Sequence, residues 1–228
     1  MKKVIVLSLG GSIIIPDQVN IKYLEAFRKE IRKHYRNYKF VIVCGGGSIA
    51  RRYISALKED GENETKQSKA GCRATRMNAL LLMDLFGKEA NDNIPKDMKE
   101  IENYLPKNNV VICGALRYAP KSTSDGTAAK IANKLNTDFI NMTNVKGLYD
   151  KNPGKYKNAK FIEKISWKDF EKMALAIRHK PGQHFVLDQK AATIIRKYRI
   201  PTFIINENLK NFSNLIKGKK FIGTSIKN

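Results

Sequence analysis

The sequence predicts an α/β chain built on a mostly parallel, doubly wound sheet. Short, continuous apolar runs recur along its 228 residues, amphipathic stretches of helical period separate them, and glycine loops follow the first two runs directly. Continuous apolar runs are what strands covered on both faces look like, whereas strands with one wet face alternate. Strand, glycine loop, helix and strand in succession make the βαβ unit of a parallel sheet.

The predicted strands are residues 3–9 (KVIVLSL), 39–44 (KFVIVC), 109–113 (NVVIC), 138–142 (DFINM) and 202–205 (TFII). Helical periodicity covers residues 21–35, 48–57, 74–86, 126–135, 167–177 and 185–198. Segments 59–69, 117–124 and 150–160 break the alternation and are expected as loops or small hairpins. No internal repeat, low-complexity tract or linker is present, so one domain over residues 1–228 is expected. At most it has two lobes, the first about 1–120 and the second about 121–228.

Composition narrows the function classes. No run approaches the roughly 20 apolar residues that span a bilayer, and Gly10, Gly11 and Ser12 cut the N-terminal apolar run too early for a secretion signal. Cys44, Cys72 and Cys113 are odd in number and lack CxxC spacing, which argues against disulfides or a zinc knuckle and for a reducing, cytoplasmic setting. The 43 Lys and Arg against 21 Asp and Glu leave a formal charge of +22. Such an excess fits a nucleic-acid binder, but these cations are scattered along helices, with no arginine-rich tail and no basic run interleaved with aromatics. An anionic small substrate is the plainer reading.

Four motifs carry chemistry. Leu9-Gly10-Gly11-Ser12 ends the first strand, and glycine there lets backbone N–H groups approach a phosphate. By itself it is also an ordinary turn. Cys44-Gly45-Gly46-Gly47-Ser48 ends the second strand and opens a helix carrying Arg51 and Arg52, so its amides face the positive helix end with a guanidinium one turn in. Two such loops at neighbouring carboxyl ends suit two phosphate groups facing each other, as phosphoryl transfer requires. Neither is GxxxxGK[ST] or GxGxxG.

The third motif, Ser122-Thr123-Ser124-Asp125-Gly126, follows a loop with Arg117 and Lys121. It reads either as a plain helix cap or as a phosphate receiver in which Asp125 holds the neutralising cations. The fourth runs from Thr143 to Tyr149 and on to Pro153, with Tyr149 either a base-stacking surface or a tyrosine packed at a hairpin root.

Taken in order, LGGS, VCGGGSIARRYI, ATRMNALLL, STSDGTAAKIA, TNVKGLYDKNP and HFVLDQKAATII resemble the amino acid kinase family, and within it the archaeal-type UMP kinases most closely. The resemblance covers nearly the whole chain. It implies a three-layer αβα sandwich around a mostly parallel sheet of about eight strands, use of ATP with Mg²⁺, direct in-line transfer to UMP, and assembly of a homo-oligomer, a hexamer in many relatives. Neither a nucleic-acid nor a membrane partner is implied, and no metal-ligand set of the protein's own is assigned.

By the resemblance, Ser8, Gly10, Gly11, Ser12, Gly47, Arg51, Thr143, Tyr149 and Asn152 fall on ATP-contacting positions. Gly46, Leu116, Arg117, Lys121, Ser122, Thr123 and Ser124 fall on those of the nucleoside monophosphate. Asp125 matches the aspartate that organises the active-site cations. Ser8 stands where many relatives have lysine, Ser68 where an aspartate contacts the monophosphate, and Asn152 where aspartate is common. Lys121, Lys146 and Lys180 are candidates for the missing charge, with Lys180, before Pro181-Gly182, ranked first as a catalytic residue. These departures leave open a kinase of the same fold acting on another phosphate- or carboxylate-bearing acid, a non-catalytic nucleotide-binding or storage relative, and a nucleic-acid-binding regulator.

Overall fold

The structure, a computed structural model, describes residues 2–118, 123–176 and 186–228. The chain opens with strand β1 (Lys3–Leu9), whose last five residues are buried, and turns at once into the short helix α1 (Gly11–Ile14). Helix α2 (Ile21–Arg32) starts at Asn20, whose side chain accepts from the Tyr23 amide, and buries Leu24, Phe27 and Ile31. Strand β2 (Tyr38–Cys44) then leads through the second glycine loop into α3 (Gly47–Glu59).

Helix α4 (Glu64–Phe86) begins ten residues before the sequence pattern indicated and takes over much of the expected 59–69 loop. Its first turns, ETKQSKAG, carry almost no apolar residue, so no hydrophobic period announces them. Asn63 starts it by accepting from the Lys66 amide at 3.0 Å. A short α5 (Met98–Tyr104), strand β3 (Val110–Cys113), helix α6 (Ser124–Lys134) and strand β4 (Phe139–Thr143) follow. A separate two-stranded ribbon, β5 (Leu148–Tyr149) with β6 (Phe161–Ile162), brackets the expected 150–160 loop.

The chain then forms β7 (Lys164–Ile165), α7 (Trp167–Ala176), α8 (Gln189–Tyr198), β8 (Thr202–Asn206), α9 (Leu209–Ile216) and β9 (Thr224–Ile226). The pattern beyond residue 205 was not anticipated. Helix α9 is apolar on one side only and buries Phe212, and β9 pairs antiparallel with β8. Helix α8 begins at Gln189 rather than at 185, where Asp188 caps it.

The main sheet has seven strands among the described residues, in the order β3-β2-β1-β4-β8-β9-β7, rather than about eight. The five from β3 to β8 run parallel. One face carries α1, α2, α4 and α9 over Ile5, Leu7, Phe40, Ile42 and Ile140; the other carries α5 to α8 over Val6, Val41, Val111 and Phe139. Alternate residues of each strand therefore feed two cores, the three-layer arrangement expected. The chain winds outward from β1 through β2 to β3, then returns to the other side of β1 as β4. Between β1 and β4 lies the switch point at which open α/β sheets bind ligands.

Candidate active site

A cleft of about 590 Å³, counted with its open mouth, sits at that switch point. Its floor is made by the carboxyl ends of β1, β2 and β4. The two glycine loops meet there backbone to backbone: the Gly45 amide donates to the Leu9 carbonyl and the Ser48 amide to the Ile15 carbonyl, at 2.9 and 3.1 Å. A Cβ on Gly11 would land on the Gly47 amide nitrogen, and Gly47 itself has φ +63°. Glycine is needed here because no side chain fits between the loops and the second turns through the left-handed region.

Of the positions the sequence pointed to, Ser8, Gly10, Gly11, Ser12, Gly46, Gly47, Arg51, Ser124, Asp125 and Thr143 line this cleft. Arg51 projects from the start of the second turn of α3 and is exposed. Its neighbour Arg52 is turned away to pair with Asp17.

Asp125 does not cap α6. Thr123 is the cap, its Oγ1 accepting from the Gly126 amide at 3.0 Å, which leaves the Asp125 carboxylate free to enter the cleft. There the Ser8 hydroxyl donates to Asp125 Oδ1 at 2.9 Å. Protein surrounds the carboxyl except on the cleft side. Burial pushes its pKa up to about 7, the nearby charge of Asp188 adds to the rise, and the Ser8 hydrogen bond holds it back.

Other expected positions lie elsewhere. Arg117 is exposed and reaches toward Asp97, 3.6 Å away, while Leu116 is half-buried against the core. Tyr149 sits in the ribbon with its ring 5.4 Å from that of Phe161, and Asn152 accepts from the Gly154 amide in the ribbon's turn. Ser68 lies on α4, outside the cleft lining. Lys121, Ser122 and Lys180 lie outside the described residues.

Three contributors were not singled out from the sequence. Asn141 is paired in register with Ser8 on the adjacent strand and is buried, its Nδ2 donating to the Val186 carbonyl at 2.6 Å. Val186 lines the cleft, and Asp188 places its charge beside Asp125 while accepting from the Ala191 amide. A lone asparagine inside the apolar run FINM was the available signal for the first. For Asp188 the signal was a capping-type carboxylate inside the expected 185–198 helix, marking where the helix really starts.

Comparison with known proteins settles the fold's kinship. Residues 3–206 match the amino acid kinase family. The chain belongs to that family. Among curated amino acid kinase relatives, a uridylate kinase of Thermoplasma volcanium is 35% identical over 227 residues, covering 99% of this chain and 98% of that protein. One of Thermococcus kodakarensis is 33% identical over 217 residues, covering 94% and 96%. The crystal structure of uridylate kinase from Archaeoglobus fulgidus superposes with a TM-score of 0.84 at 33% identity, over 99% of this chain and 100% of that one.

As an amino acid kinase, the chain has a cleft suited to handling phosphates by placement rather than by covalent attack. Backbone amides and one guanidinium can take anionic oxygens, and the Ser8 hydroxyl is already engaged with Asp125.

Proposed function

We propose that this chain is an ATP-dependent UMP kinase that forms UDP by direct in-line transfer. The observation that carries the reading is the meeting of two glycine loops at the switch point with Asp125 beside them, in a chain similar over its full length to uridylate kinases.

In the reaction an anionic oxygen of the UMP phosphate bonds to the γ-phosphorus of ATP while the bond to the β–γ bridging oxygen breaks. The attacking oxygen carries no proton at neutral pH, so no general base is needed, and catalysis consists of alignment and charge neutralisation. The loop around Gly10, Gly11 and Ser12, with Thr143, holds the ATP phosphates; Gly46, Gly47 and Arg51 bring the two phosphate groups together. Tyr149 and Asn152 on the ribbon serve the nucleotide's far end. Residues 116–124 and Ser68 serve the acceptor. The first lobe, about 1–120, then binds the acceptor and the second, about 121–228, the rest of ATP, with the ATP phosphates held where the first lobe's glycine loops meet the second.

Mg²⁺ ordinarily takes one or two carboxylates together with substrate phosphates and keeps several waters. The donor set fits that use and not an all-protein cage: Asp125 and Asp188 are neighbours, and no group of three or more His, Cys, Asp or Glu side chains among the described residues could hold a metal. Asp125 would face the ion, whose charge offsets that of the transferring phosphoryl group. Lys180 remains the first choice for an added cation.

A cytoplasmic homo-oligomer, a hexamer, completes the proposal. No described helix is long and apolar enough to cross a membrane, and Tyr53 on α3 with Met77 and Leu80 on α4 expose apolar surface suited to a second copy.

The test is a coupled ATPase assay with UMP, CMP, dUMP and a panel of small carboxylic and phosphorylated acids. Preferential turnover of UMP is expected. Turnover confined to another acid, or none at all, would overturn the reading.

A further inference from the structure

One turn in the middle of α4 touches both the second glycine loop, which lines the cleft, and the segment after β3, which the UMP kinase reading gives to the acceptor. Toward the second glycine loop, Asn78 Nδ2 donates to the Gly45 carbonyl at 2.7 Å, and Asn78 is almost wholly buried. Toward the segment after β3, Thr75 Oγ1 accepts from the Ala115 amide at 2.9 Å while donating to the Cys72 carbonyl at 2.7 Å. Arg76 completes the set. Its Nε donates to the Ala115 carbonyl at 2.9 Å and its Nη2 to the Leu116 carbonyl at 2.5 Å.

Residue 114 must approach α4 closely for this to happen. A Cβ on Gly114 would lie 2.6 Å from the Thr75 carbonyl carbon and 2.7 Å from the Arg76 amide nitrogen, so only glycine lets the strand end pass so near the helix. Arg76 then spans two successive carbonyls with two different nitrogens of its guanidinium. A planar guanidinium meets that geometry with two donors, whereas an ammonium is a single point donor on a flexible stem. Thr75 to Asn78 rises only about 4.5 Å along a helix, so one rigid turn ties together the two loops that leave the adjacent strands β2 and β3.

We propose that Arg76 is a positioning residue: its fork on the Ala115 and Leu116 carbonyls holds residues 114–117 at a fixed height beside the Gly45–Gly47 loop, and so sets acceptor affinity without setting the rate of transfer. The assignment of that segment to the acceptor rests on the UMP kinase reading. The segment's other anchors do not involve Arg76. The Arg117 amide donates to the Lys96 carbonyl at 2.9 Å, and Leu116 packs against the core. Losing the guanidinium therefore leaves the fold in place and releases the height of the loop.

The experiment compares the full-length parent with Arg76→Met, which keeps the apolar stem, and Arg76→Lys. Amide hydrogen exchange is followed at residues 114–118 and at 45–48, with steady-state kinetics for UMP and ATP. In Arg76→Met, exchange at 114–118 is expected to rise about tenfold or more while 45–48 stays as in the parent. The KM for UMP is expected to rise about tenfold or more, with the ATP KM and kcat within about twofold, the pattern of lost ground-state binding. Arg76→Lys should fall between. Parent-like exchange at 114–118, equal loss of protection in both loops, or a fall in kcat at unchanged UMP KM would each overturn the proposal. Should Arg76→Met not fold, Arg76→Lys must show the same selective pattern at smaller size, and parent-like behaviour overturns the role. A parent inactive on UMP would refute the UMP reading, and the exchange data would still decide the positioning role.

Discussion

Asp125 shows how much one carboxylate's surroundings decide. It follows the cap of α6 rather than being the cap, and in the cleft it accepts a hydrogen bond from Ser8 and feels the nearby charge of Asp188. Because its folded pKa is raised to about 7 from 3.8, the folded protein binds the proton more tightly than the unfolded chain, and its contribution to stability falls as pH rises from about 4 to 7. Asp125→Asn removes that liability. The variant should be more stable than the parent by roughly 1–3 kcal/mol at pH 7.5, with the gain vanishing near pH 4, while turnover falls by about two to three orders of magnitude. Thermal melts across pH and a turnover number for the purified variant check both halves; a variant with parent-like turnover would remove Asp125 from the chemistry. Arg51 is the exposed cation of the cleft, and Arg51→Ala should weaken nucleotide binding by about 1.5–3 kcal/mol with little change in stability. Calorimetric titration with ATP and UMP measures it, and unchanged affinity for both contradicts a phosphate-binding role.

At the scale of elements, two contacts hold segments far apart in sequence. The glycine loops after β1 and β2 touch so closely that Gly11→Ala must push the loop at Gly47 aside. A loss of about 2–3 kcal/mol by chemical denaturation is expected, the usual size for overpacking; parent-like stability would show that the loops do not pack as described. On the same face, His34 at the end of α2 is buried against Phe212 and Tyr38, 3.2 Å from Glu30 and 3.3 Å from Ser213 of α9. Burial lowers its pKa below the ordinary 6.5, Glu30 opposes that, and Lys217 and Lys33 reinforce it. A depressed histidine protonates more readily in the unfolded chain, so its contribution is present above about pH 6.5 and is lost as pH falls further. Relative to the parent, His34→Gln should lose about 2–4 °C less in melting temperature between pH 7.5 and 5.5. Equal declines in the two proteins would show that His34 is not the group responsible.

For the whole molecule the excess charge is spread over both outer layers. Lys22 and Lys29 are exposed on α2 over one face of the sheet, Lys168 and Lys172 on α7 over the other, and Lys219 and Lys220 follow α9. A charge so distributed attracts polyanions without presenting a stripe that tracks a backbone. Oligonucleotide binding is therefore expected to be weak and to disappear with modest salt, as counterion release dictates. A fluorescence anisotropy titration at about 150 mM salt tests this, and tight sequence-selective binding there would contradict it.

Local chemistry was enough for much of this. Five buried strands, the two glycine loops and the position of Asp125 after a run of hydroxyls were legible because each is written within about ten residues, as an apolar run or a turn that only glycine allows. The kinship to the amino acid kinases was legible as well, since it resides in motif order. Tertiary structure alone decided which residues meet. Ser8 and Asp125 are 117 positions apart, Arg76 and Leu116 are 40, and Asn141 enters the cleft only because β4 pairs with β1 in one register. Helix α4 likewise hid its polar start, because packing against α3 rather than an apolar period sustains it. Sheet register and helix docking depend on burial summed over the whole chain, and no short window of sequence contains that sum.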